Sequence, residues 1–119
     1  MKTIESYNLN LKNFFNYQEA IQKSNLGDNV QLEILQKPNG YKDVFVKNNG
    51  EIIGEVFSED SDDLKIHINH PQHFSIDAKI VKFLEKDNNQ KSVIVDIDIN
   101  TSDDFDYDDF MENYEEDEY

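Results

Sequence analysis

The chain of 119 residues has no cysteine, no tryptophan and no arginine. Without cysteine there is no disulfide, no thiolate metal site and no cysteine nucleophile. Without arginine, the bidentate grip on phosphate or guanine that nucleic-acid readers favour is missing. Glycine is scarce, at positions 27, 40, 50 and 54, and each falls in a turn or hairpin signal. None is left for a phosphate-cradling loop or a nucleophile elbow. Apolar runs are only a few residues long, too short for a membrane-spanning helix, and no basic-then-apolar leader opens the chain. The expectation is a cytoplasmic, non-enzymatic protein without a cofactor.

What the chain has is acid. There are 26 aspartates and glutamates against 11 lysines, a net charge of −15. Residues 1–102 hold 16 acids and all 11 lysines, a net of −5 that suits an ordinary domain. Residues 103–119 hold ten acids, no base and five aromatics. The chain therefore divides into a domain over 1–102 and an acidic, aromatic tail over 103–119. Acidic tails usually stay unfolded because like charges repel and little apolar surface is available. Here Tyr107, Phe110, Met111 and Tyr114 fall at i, i+3, i+4 and i+7, the spacing of one helical face. Ser102 is placed to cap such a helix, with Asp103 and Asp104 in its first turn. The run 115–118 puts anions at the C-terminal end, where the helix dipole disfavours them, and fraying is expected there.

Within 1–102 the patterning is mostly period two. Strands are expected over Thr3–Leu11, Val30–Leu35, Tyr41–Lys47, Glu51–Phe57, Phe74–Phe83 and Ser92–Ile99, and a short helix over Phe15–Ser24. Asn48-Asn49-Gly50 is the strongest hairpin signal. Leu64–Ile68 alternates like a strand, yet Ser61 ahead of two acids reads as a helix cap, and both readings stand. The fold class is mainly β (α+β): a small twisted barrel or strongly bent antiparallel sheet of five to six strands, with one or two short helices. Its core is expected to hold Val30, Leu32, Ile34, Val44, Val46, Ile53, Val56, Ile76, Ala78, Ile80, Val93, Val95 and Ile97.

Two patterns invite a metal. His67, His70 and His73 are spaced H-x-x-H-x-x-H, but on a strand the first two point to opposite faces, and Pro71 interrupts a helix. Asp96, Asp98 and Asn100 begin like a calcium loop, but its sixth and twelfth positions are Thr101 and Tyr107 rather than Gly and Glu. No metal is expected at either.

The stretch 27–56, GDNVQLEILQKPNGYKDVFVKNNGEIIGEV, resembles the HIRAN domain. A glycine precedes a strand, Lys37-Pro38-Asn39-Gly40-Tyr41 stands at the family's turn, and Gly50-Glu51-Ile52-Ile53-Gly54 at its hairpin. The family's second turn proline is Gly40 here, and its turn aspartate is Lys42. The resemblance implies a module that binds 3′ ends of single-stranded DNA, with Tyr41 the residue that carries over.

Charge points to a different function. Duplex DNA carries a charge about every 1.7 Å. A helical tail with ten acids in 17 residues carries one about every 2.5 Å, taking a rise of about 1.5 Å per residue. The leading expectation is an inhibitor that mimics nucleic acid on a basic nucleic-acid-handling protein. Its contacts would be the carboxylates of Asp103, Asp104, Asp106, Asp108, Asp109, Glu112, Glu115 and Glu116, and the rings of Phe105, Tyr107, Phe110 and Tyr114. In size, acidity and richness in asparagine the chain resembles small phage anti-defence proteins of the anti-CRISPR or anti-restriction type. An immunity protein against a basic nuclease toxin and a HIRAN-like DNA-end binder are the alternatives. Direct binding to duplex DNA is not expected.

Overall fold

The structure, a computed structural model, describes residues 1–114. It is mainly β. Six strands, β1 (Lys2–Asn10), β2 (Gln31–Gln36), β3 (Lys42–Asn48), β4 (Glu51–Glu55), β5 (Ser75–Glu85) and β6 (Lys91–Thr101), form two antiparallel sheets, in the orders β1-β6-β5 and β2-β3-β4. Three short helices accompany them: α1 (Gln18–Gln22), α2 (Ser58–Ile68) and α3 (Tyr107–Glu112).

Local chemistry accounts for most of these elements. β3 and β4 are joined by Asn49-Gly50, both at positive φ (52° and 82°), the geometry that lets a two-residue turn follow the twist of a hairpin. β6 alternates over 93–99, with Val93, Val95, Ile97 and Ile99 fully buried and Asp96 and Asp98 on the outer side. The open segment 64–68 is helical. α2 begins at Ser58, with Glu59 and Asp60 in its first turn, where the dipole favours anions. It puts Ser61, Leu64 and His67 inward at helical spacing, and Ser61 is an interior residue rather than the cap. The anticipated helix over 15–24 shortens to the five residues of α1 after a single 3-10 turn at Phe14–Asn16.

Of the two architectures expected, the barrel does not form as a closed ladder, and the strands divide between two sheets rather than one bent sheet. The two sheets touch at two isolated bridges, Lys12–Glu55 on one side and Asn29–Lys79 on the other. At the second, Val30 N–H donates to the Ala78 carbonyl at 3.0 Å and Ile80 N–H to the Asp28 carbonyl at 3.0 Å. Beyond it β2 and β5 are not paired, and the C-terminal end of α2 borders the opening. This explains the split among the anticipated core residues. Ten are buried, whereas Leu32, Ile34 and Ile76 are only half-buried, and Leu32 and Ile76 line the opening. Leu11, Ile21, Leu64, Phe74 and Ile99 complete the core. Gly54 is needed for it: a Cβ there would lie 2.6 Å from that of Leu11.

Candidate functional site

α3 is six residues long, too short to persist by its own hydrogen bonds. Its cap is Asp106, whose carboxylate accepts from Asp109 N–H at 3.0 Å, and not Ser102. Ser102 lies a turn earlier, where its carbonyl accepts from Phe105 N–H at 3.1 Å. What holds the tail is its rings. Phe105 stacks on His73 with centroids 4.8 Å apart, and Tyr107 stacks on His67 at 5.8 Å. Phe110 meets His70 at 5.2 Å and Phe74 at 5.4 Å, and Tyr114 meets His70 at 5.5 Å. The three histidines thus lie on one side of the molecule because residues 64–68 are helical, with His67 and His70 three apart and His73 in the following turn. The spacing that suggested a metal builds an aromatic dock.

A hydrogen-bonded chain runs beneath this dock. The Tyr107 hydroxyl donates to Glu5 Oε1 at 3.2 Å, and its oxygen lies 3.0 Å from His67 Nε2. Glu5 also accepts from the Tyr7 hydroxyl. Burial holds the His67 imidazole below its usual pKa, outweighing the attraction of Glu5 and Asp63, so the ring is neutral at pH 7. Burial, with the Glu5 carboxylate, pushes the Tyr107 hydroxyl above the ordinary phenol range, so it stays a donor.

The rings and the charges of the tail therefore separate. Phe105, Tyr107, Phe110 and Tyr114 are half-buried against the domain, whereas Asp103, Asp104, Asp106, Asp108, Asp109 and Glu112 are all exposed. Asp103 also meets the chain's amino terminus at 3.3 Å. Glu115 and Glu116, anticipated in the same surface, lie outside the described residues. Several of the domain's lysines are engaged away from the tail: Lys23 with Glu19 and Glu51, Lys47 with Glu33, Lys65 with Asp62. Lys12 and Lys37 converge on Asp43, at 3.6 and 3.2 Å, and Lys37 also reaches Glu55 at 2.9 Å. Burial alone would raise both carboxyl groups; the Ser61 hydroxyl and Lys37 at Asp43, and Lys37 and the Tyr17 hydroxyl at Glu55, more than offset it and hold them low.

That ionic cluster borders a cavity of about 400 Å³ lined by Tyr17, Leu35, Lys37, Phe45, Ile52 and Glu55, among others. Tyr41, the residue singled out by the HIRAN resemblance, stands in the nearby β2–β3 turn, 75% exposed. Sequence reading did not connect Glu5, Tyr7 and Phe74 with the tail. The signal it held was two spacings, the histidine triplet and the tail aromatics, that only a helical 64–68 lets meet.

The chain matches no family model, no curated protein and no solved structure.

Proposed function

We propose that the protein is a non-enzymatic acidic inhibitor that occupies the nucleic-acid groove of a basic, nucleic-acid-handling protein, in the manner of anti-CRISPR and anti-restriction proteins. One observation carries this reading. The tail turns its four rings to the domain and its six described carboxylates to solvent, so a dense row of negative charge is held on a folded support. Preorganised charge of this kind associates quickly with a basic groove and loses less conformational entropy than a flexible polyanion. The rings, anticipated either on the domain or on the partner, pack on the domain and so fix the carboxylates.

The test is inhibition of DNA cleavage by a panel of basic nucleases: CRISPR effectors, restriction enzymes and toxin nuclease domains. One target should be inhibited, with potency falling steeply between low and physiological salt as exposed charges are screened over about 8–10 Å. Asn at 104, 106, 108 and 109 with Gln at 112 should cost at least about 100-fold in potency, since ion pairs lost across an interface cost about 1 kcal/mol or more each. Asn caps a helix as well as Asp, so Asp106→Asn keeps the fold. Failure to inhibit any of the panel at low salt, or full potency of the neutralised tail, refutes the reading. A hit among toxin nucleases identifies an immunity protein acting by the same physics.

The exposed Tyr41 beside a 400 Å³ cavity favours a second reading, a HIRAN-like DNA-end binder. It requires tight binding of a 3′-ended single strand that Tyr41→Ala abolishes. Lys37, the lysine that lines that cavity, is already paired with Asp43 and Glu55.

A further inference from the structure

The opening between β2 and β5 is a groove with two chemically different sides. Its inner side is a cavity of about 520 Å³ bounded by Val30, Leu32, Phe74, Ile76 and His67. Its outer side is a cavity of about 210 Å³ bounded by Asn29, Lys79, Asp96 and Asp98. Asp77 and Ala78 border both, so the two lie on either face of the same stretch of β5.

That edge is directional. Ala78 offers its carbonyl to Val30, and Ile80 its N–H to Asp28, so the even-numbered residues of β5 aim their backbone groups away from β6. By the same alternation Ile76 presents the next N–H and carbonyl toward the groove, and no ladder joins β5 to β2 there. An unpaired strand edge of this kind accepts an added strand. Side chains alternate across it: Ile76 and Ala78 face the apolar side, Asp77 the acidic side.

The acidic side carries an unusual cost. Asp77 and Asp98 are directly opposite on neighbouring strands, and like charges in that position are destabilising. Each is held in place, Asp98 by the Ser6 hydroxyl at 2.6 Å and Asp77 by the Asn100 amide at 2.9 Å. A cation laid across the pair would remove the repulsion. A second copy of this chain, itself at −15, would be repelled overall.

We propose that this groove takes up an extended, lysine-bearing segment of the partner protein, added as a strand to the free edge of β5. The segment's apolar side chains enter between Leu32, Phe74 and Ile76, and its alternate basic side chains lie over Asp77 and Asp98. The proposal rests on the acidic-inhibitor reading and adds a second, shape-selective contact to the tail.

The experiment uses the full chain, isotopically labelled, at low salt. The probe is the capped peptide Val-Lys-Val-Lys-Val, compared with Val-Lys-Lys-Val-Val, which has the same composition but puts a lysine on each face of the strand. Amide shifts should concentrate at residues 29–34 and 74–80, and the alternating peptide should bind at least fivefold tighter than its isomer. Asp77→Asn with Asp98→Asn should weaken binding at least fivefold while leaving the remaining amide spectrum unchanged, since removing the like-charge pair does not strain the sheet. Equal binding of both peptides with shifts confined to 103–112 overturns the groove and leaves the acidic-inhibitor reading standing. No binding of either peptide overturns the groove as well, and the acidic-inhibitor reading is then decided by the nuclease panel alone.

Discussion

Removing one ring from the tail separates docking from charge. Phe110 is half-buried, with the rings of His70, His73, Phe74, Phe105 and Tyr114 at 5.2–5.7 Å. Truncating a fully buried phenylalanine costs about 3–5 kcal/mol. At half burial Phe110→Ala should cost about 2 kcal/mol, a factor of about 30 in an equilibrium constant. The loss falls on docking of the tail rather than on the sheets, because every contact named is made by residues 67–74 or by the tail itself. Amide hydrogen exchange reads it directly. Phe110 N–H donates to the Asp106 carbonyl at 3.0 Å and Asn113 N–H to that of Asp109 at 3.2 Å. Both amides should exchange about 30-fold faster in the variant, while those of Val95 and Ile97 in the middle strand of their sheet keep the parent's rates. Every carboxylate remains, so a loss of inhibitory potency in Phe110→Ala measures the value of holding the charges in place. Unchanged exchange at 110 and 113 would refute the docking argument, and equal acceleration at 95 and 97 would show that the tail and the sheets open as one unit.

The remaining predictions concern the histidine and the tightest contact of the fold. Because burial lowers the folded-state pKa of His67, the unfolded chain binds the extra proton first as pH falls. The stabilisation is therefore complete above the unfolded value of about 6.5 and is lost progressively as pH falls below it. Thermal melts should show this fall between pH 7.5 and 5.5, and His67→Gln should flatten it; a parent protein equally stable at both values contradicts the neutral ring. Gly54→Ala would bring a Cβ to 2.6 Å from Leu11 Cβ and 2.8 Å from its Cδ1, in a core where Leu11 is 2% exposed. Overpacking of this kind costs about 1–3 kcal/mol and should lower the melting temperature by several degrees. A melting point within about one degree of the parent would show that Leu11 has room to move.

Period-two patterning and turn chemistry are local, and the chain carries them openly. The strict alternation of 93–99, the Asn49-Gly50 hairpin and the segregation of acid into residues beyond 102 are all legible without coordinates, because each depends on neighbours in sequence. So is the stripe of Tyr107, Phe110 and Tyr114. Three matters were decided only in three dimensions. Segment 64–68 satisfies both a strand and a helix pattern, and packing Leu64 and His67 into the core while Ser61 donates to Asp43 selects the helix. Closure of a barrel depends on whether distant edges meet, and here α2 borders the opening where β2 and β5 diverge, leaving Leu32 and Ile76 half-exposed although their alternation is that of core residues. The destination of the tail's rings also depends on contacts about 30 to 100 residues apart, to His67–Phe74 and to Glu5. Spacing within a segment says that a face exists; only the fold determines what covers it.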